Sequence, residues 1–237
     1  MRVSERADTG QGAATEPGEF YPSIGVGPHP RPWPDGGQWD AELLANGDRR
    51  NVVDKYRYWT VEAIKADLDL TRSKLHVAIE NWQHDLNIGS IVRTANAFNV
   101  AAVHIIGKRS WNRRGAMVTD KYMHVLHHTD ATEFRAWAQS ERICVVGVEQ
   151  HEESQPLEAF VFPVRCALLL GNEGTGLTEQ AVSACDALIE IRQSGSTRSM
   201  NAAAAGAITI WAWASQNDQP LGATTLAGQS VNALRER

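Results

Sequence analysis

The chain has 237 residues, 43% of them apolar and 22% charged, enough for one sizeable α/β domain with appendages and a proper core. Its formal net charge of −5 excludes a protein coated in basic residues for indiscriminate nucleic-acid binding. The longest apolar run, Ala202 to Ala214, spans 13 residues, short of the roughly 20 that cross a bilayer. Met1-Arg-Val-Ser-Glu-Arg carries no apolar signal core, so a cytoplasmic protein is expected. Cys144, Cys166 and Cys185 lie in apolar segments without metal-ligand spacing and read as reduced, buried thiols, with no metal expected.

Residues 1–50 are rich in proline and glycine and poor in aliphatic side chains, the composition of a partly disordered arm. Phe20, Tyr21, Trp33 and Trp39 are its candidate anchors. Residues 51–74 read as a helical lead-in, with a helix over 61–70 capped by Thr60. From residue 75 the pattern alternates. Strands are predicted at 75–79, 102–106, 143–148, 167–170 and 187–191, and helices at 88–98, 131–139, 178–184 and 200–213, with a polar tail over 216–237. Strands separated by helices predict an α/β fold, a mostly parallel sheet with helices on both faces.

Charge is unevenly spread. Between Arg72 and His124 eight Lys or Arg face three acids, a local balance of +5. Read blandly, this patch is a solvated surface.

Three polar segments each join a strand-like run to a helix-like one. In the first, Ile88, Ile91, Val92, Ala95 and Phe98 form an apolar stripe at helical spacing, and Arg93 points nearly opposite it, free to face a ligand. Asn87 stands where a side chain caps the helix, and Gly89 allows close backbone approach. His84 reads as a loop histidine without a catalytic task. In the second, Gly171-Asn-Glu-Gly-Thr-Gly176 lacks both the P-loop ending and the dinucleotide order of glycines. It permits a backbone-lined pocket at the end of a strand, with Glu173 as its one charge. In the third, Ser199 and Asn201 flank Met200 at the head of an Ala-rich helix. Ser196 or Ser199 is expected to cap that helix, and Ala202 to Gly206 implies close packing along it.

Taken together, the segments resemble one family. Glu80-Asn81 with Asn87-Ile-Gly-Ser-Ile-Val-Arg93-Thr94-Ala95, then Leu169-Leu-Gly171-Asn-Glu173-Gly-x-Gly-Leu177, then Ile189-x-Ile191 through Ser199-Met200-Asn201 are similar to the motifs of the SPOUT superfamily, in its TrmH (SpoU) branch of RNA ribose 2′-O-methyltransferases. The resemblance covers about residues 75–215. It departs at Asn99, where the family often has glycine, at Met200 for leucine, and at Arg192-Gln-Ser for Pro-Met. The resemblance implies a C-terminal trefoil knot, a homodimer, S-adenosylmethionine as methyl donor and structured RNA, tRNA or rRNA, as substrate. It further implies that Val148, Leu170, Gly171, Asn172, Ile191, Ser199 and Met200 hold the donor. Arg93, Asn87, Glu173, Ser199 and Asn201 would form the catalytic and RNA-facing set. Under the same resemblance Arg109, Arg113, Arg114 and Lys121 would supply phosphate contacts, with Trp111 available to stack on a base. A relative methylating a base nitrogen, or a non-catalytic RNA-binding protein on the same fold, is the alternative reading.

Overall fold

The computed structural model describes residues 25–82, 87–172 and 174–217. The chain divides into two compact units between Thr60 and Val61.

Among the described residues of the first unit is a short helix, α1 (Ala41–Asn46), whose N-cap Asp40 accepts from the Glu42 and Leu43 amides at 2.9 and 3.1 Å. Asp48 is its hub. Oδ1 accepts from the Arg50 amide and Nε, both at 2.9 Å, while Oδ2 accepts from the Arg50 guanidinium at 2.7 Å and the Tyr58 amide at 2.9 Å. Burial alone would raise the Asp48 carboxyl, but these donors outweigh it and hold the group at about 2. Trp39 meets Trp59 edge to face, 6.2 Å between rings, so an aromatic pair and a buried carboxylate do the work that aliphatic residues do elsewhere. Phe20 and Tyr21 lie outside the described residues.

The second unit opens with α2 (Val61–Asp69) and then alternates: β1 (Leu75–Asn81), α3 (Asn87–Ala97), β2 (Ala102–Gly107), β3 (Val125–His128), α4 (Ala131–Ser140), β4 (Cys144–Val148), β5 (Gln155–Pro156), β6 (Cys166–Leu170), α5 (Glu179–Ser183), β7 (Ala187–Glu190) and α6 (Ala202–Asn217). The sheet runs β3-β2-β1-β6-β4-β7-β5 with every neighbour parallel. The predicted strands and helices of this unit are all present, within a few residues at their ends. Beyond the prediction are β3, an edge strand with Val125 and Leu126 exposed, and β5, two residues long and containing a proline.

Two apolar clusters cover the two faces of the sheet. On one, Ile88, Ile91, Val92 and Ala95 of α3 and Ile210 and Trp213 of α6 pack on Leu75, Val77, Ile79, Leu168 and Leu170. On the other, Phe134 and Ala138 of α4 and Ala181 of α5 pack on Ala78, Ile106, Val145 and Leu169. Each fully buried Ile, Leu or Phe contributes about 1.5–3 kcal/mol, so the stripe predicted on α3 fixes which face that helix turns inward. The Ala-rich start of α6 permits its approach: a Cβ on Gly206 would stand 3.0 Å from Leu170 Cδ1 and 3.6 Å from Ile91 Cγ1. Asn99 ends α3 in the left-handed region at φ +43. Its side chain also donates to Leu68 O and Thr71 Oγ1 and accepts from Arg72, ties that glycine could not make.

Candidate active site

The second and third polar segments meet at the carboxyl ends of β4, β6 and β7, where an open parallel sheet places ligands, and the first follows β1. A cavity of about 300 Å³ opens there, at the small end of the range for ligand sites. Its wall includes Val148, Glu149, Leu170, Gly171, Asn172, Gly174, Gly176, Glu190, Ile191, Ser199 and Met200. Every residue that the resemblance implies for the donor therefore lines one cavity. Among the described residues of its wall are two carboxylates and neither lysine nor arginine.

The described residues of the loop after β6 are held by local hydrogen bonds. Asn172 exchanges backbone hydrogen bonds with Gly176 at 3.2 and 3.0 Å, and its Oδ1 accepts from the Gly174 and Thr175 amides at 3.0 Å. Gly171 admits no side chain, because a Cβ would strike the backbone of Gly176 and Leu177. Two carboxylates from other strands grip the far end of the loop. Glu149, just past β4, accepts from the Leu177 amide at 2.7 Å; Glu80, fully buried on β1, accepts from the Thr178 amide and hydroxyl, both at 2.8 Å. Thr178 in turn caps α5. Glu80 stood in the motif without a role, and nothing in the sequence marked Glu149, one of three acids in the polar connection Glu149-Gln-His-Glu-Glu-Ser154.

The serines expected to cap α6 do not. Asn201 does so, its Oδ1 accepting from the Ala203 and Ala204 amides at 3.0 and 3.2 Å. With that oxygen committed to two donors, the amide nitrogen faces α3 and donates to Asn87 Oδ1 at 2.8 Å, so the first and third segments touch. Arg93 lies on the exposed side of α3, as its spacing predicts, and makes no ion pair or hydrogen bond among the described residues. Glu173 and His84 lie outside the described residues.

The basic loop sits against the start of α3. Gly89 and Gly115 meet backbone to backbone, a Cβ on Gly115 falling 2.9 Å from the Ser90 amide nitrogen, which places the turn at Arg114–Ala116 beside the helix. Asn81, buried, holds the root of the loop by donating to Lys108 O at 2.6 Å and Ser110 O at 2.9 Å. Arg109, Arg113, Arg114 and Lys121 are exposed, Arg113 being paired with Asp120 at 3.3 Å. Trp111 corrects the reading from sequence. It is 8% exposed and packed in the core with the Arg113 guanidinium over its ring, so it secures the loop and has no free face for a base.

With this geometry in hand, the comparisons are specific. The model of the SpoU rRNA Methylase family matches residues 74–211. Similar proteins include the tRNA (guanosine(18)-2′-O)-methyltransferase TARBP1 of Mus musculus, 27% identical over 206 residues, 77% of this chain and 13% of that one. The 23S rRNA (guanosine-2′-O-)-methyltransferase RlmB of Coxiella burnetii is 28% identical over 139 residues, 56% of this chain and 55% of that one. Thus this chain spans about half the length of one relative and a small part of the other. In fold it is similar to the SpoU methyltransferase AviRb from Streptomyces viridochromogenes, solved in complex with the cofactor AdoMet: TM-score 0.56, 24% identity, 63% of this chain and 60% of that one.

Proposed function

This chain belongs to the SpoU rRNA Methylase family, and from that premise we propose that it moves a methyl group from S-adenosylmethionine to a ribose 2′-hydroxyl of structured RNA. One observation carries the reading: the second and third motif segments wall a single cavity whose charged lining is carboxylate, and the first segment is tied to the third through the Asn201–Asn87 hydrogen bond. Glu149 and Glu190, with no cation among the described wall residues, suit a sulfonium and disfavour a cofactor bearing phosphates. Val148, Leu170, Gly171, Asn172, Ile191, Ser199 and Met200 would hold the donor, which supplies an electrophilic methyl carbon.

The remaining chemistry is alignment and charge. Arg93, exposed and uncommitted, clamps a phosphate of the target nucleotide through its planar fork and favours negative charge developing on the ribose oxygen. A guanidinium, which holds its proton through delocalised charge, is a poor proton acceptor. Ser199 of the cavity wall, with Asn201 and its partner Asn87, completes the set, joined by Glu173 on the strength of its motif. Arg109, Arg113, Arg114 and Lys121 hold the RNA beyond it. The substrate is tRNA or rRNA, the two classes named for the relatives.

We assign the protein to the cytoplasm as a homodimer with the family knot. The described helices include none long and apolar enough to cross a membrane. The outer side of α6 exposes Ile208 and Trp211, the latter 62% accessible, a face suited to a second copy.

The test is calorimetric titration with S-adenosylmethionine, followed by incubation of labelled donor with bulk tRNA and rRNA and digestion to nucleosides. Saturable binding and a labelled 2′-O-methylnucleoside are expected. Label on a base, or bound donor with no transfer to either RNA, overturns the proposal.

A further inference from the structure

Beside the cavity just described lies a second, of about 350 Å³, and the two share Gln150, Glu190, Ile191 and Gln193 along their common wall. Their linings differ in charge. The first holds Glu149 and Glu190 and no cation among its described residues, whereas the second, which shares Glu190, adds Arg192 and Arg198, with Thr197 and the two glutamines as neutral donors. Arg192 is partly engaged, its guanidinium paired with the Glu158 carboxylate. Arg198 makes no ion pair or hydrogen bond among the described residues, although it directly precedes Ser199, which lines the first cavity.

An uncommitted guanidinium presents five donors in a rigid fork that matches phosphate. The segment bearing it is open to a large ligand: a Cβ on Gly195 would meet nothing within 4 Å. A free anion would gain no advantage from lying against a cation's cavity, but a polyanion with a ribose in that cavity's mouth must carry phosphates on either side of the sugar. We propose that Arg198, assisted by Arg192, forms a phosphate subsite for the RNA strand that flanks the reacting ribose. The subsite rests on the methyltransferase reading above. In it, Glu158 is a resident competitor that Arg192 gives up when phosphate arrives.

The test uses the full chain and an unmodified tRNA transcript, with affinity measured over a salt series and donor affinity measured by calorimetry. Arg198→Gln should weaken RNA binding by about tenfold and flatten the slope of log K against log salt by about 0.7–0.9, the value of one lost phosphate contact. Donor affinity should change by less than about twofold, since that cavity's other walls are intact. Arg198→Lys, which keeps the charge without the fork, should restore most of the slope. Glu158→Gln should tighten RNA binding by about two- to threefold, the effect of releasing one exposed ion pair. A wild-type slope in Arg198→Gln overturns the subsite and leaves the methyltransferase reading standing. Loss of donor affinity with an unchanged RNA slope also overturns it, giving the second cavity to the donor's own carboxylate. A wild-type protein that binds no RNA ends the reading on which the subsite rests.

Discussion

Asn201 reaches Asn87 at 2.8 Å with the amide nitrogen left over after its oxygen has capped α6. One side chain thus performs two tasks that substitution can separate. Asn201→Asp keeps the capping oxygen but sets a carboxylate against Asn87 Oδ1, so thermal stability should stay within about 0.5 kcal/mol while methyl transfer falls at least tenfold. Asn201→Ala should lose activity and also about 1 kcal/mol of stability. Thermal melts run beside transfer assays check both, and a fully active Asn201→Asp would remove the Asn87 contact from the mechanism.

Gly171 is required by its surroundings, since even a methyl group there meets the backbone of Gly176 and Leu177. We expect Gly171→Ala to displace the loop, lowering stability by about 1–3 kcal/mol and donor affinity by more than tenfold. Gly195→Ala enters open space and should leave donor affinity within about twofold. Calorimetry on the pair distinguishes a shaped wall from a general glycine requirement.

For Arg93 the fork matters more than the charge. Arg93→Lys should lose at least tenfold in kcat/KM because a point charge fixes a phosphate in fewer orientations, with donor affinity unaltered. Near-wild-type kinetics in that variant would refute the clamp.

A buried row of histidines predicts acid sensitivity. His76 on β1, His104 on β2 and His128 on β3 lie diagonally across adjacent strands, with ring nitrogens 3.0 and 2.9 Å apart, under Trp137 and Phe134 of α4. Burial, reinforced by Arg165, pushes His76 down to about 4; burial and its two neighbours push His104 to about 2. Burial also lowers His128, against the opposing pull of Glu133 and with help from His127. The folded state therefore binds fewer protons than the unfolded chain below the free value of 6.5. Stability is fully present above about pH 6.5 and is lost as pH falls towards 4, on the order of 3 kcal/mol from His76 alone. Urea titrations at pH 7.5 and 4.5 measure the drop, which His76→Gln should reduce; an undiminished drop in that variant would place its source elsewhere.

Much of the second unit was legible because its burial is periodic. The α3 stripe and the Leu-rich β6 announce themselves by spacing, and Asn99 by its place after a helix. Trp111 misled because an aromatic in a basic loop looks the same on paper whether its ring faces solvent or core; only the packing of Gly89 on Gly115 decides it. Glu149 was invisible for a different reason: a carboxylate that accepts a backbone amide 28 positions away leaves no local pattern. Asp48 in the first unit is hidden likewise, since its four donors come from Arg50 and Tyr58 and no apolar period accompanies them. The three histidines, two residues apart in strand register, become neighbours only when the sheet is assembled.

The bonds that close the site span the chain: Glu80 reaches 98 positions forward to Thr178, and Asn87 receives Asn201 across 114. Contacts of such sequence separation form late, because the entropy of closing long loops must be met before they stabilise anything. During synthesis, β1 and α3 emerge well before Thr178 and Asn201, the residues that pair with them. A nascent chain that has not yet released Asn201 lacks the contact to Asn87, so the first segment is tied to the third only once the start of α6 has emerged.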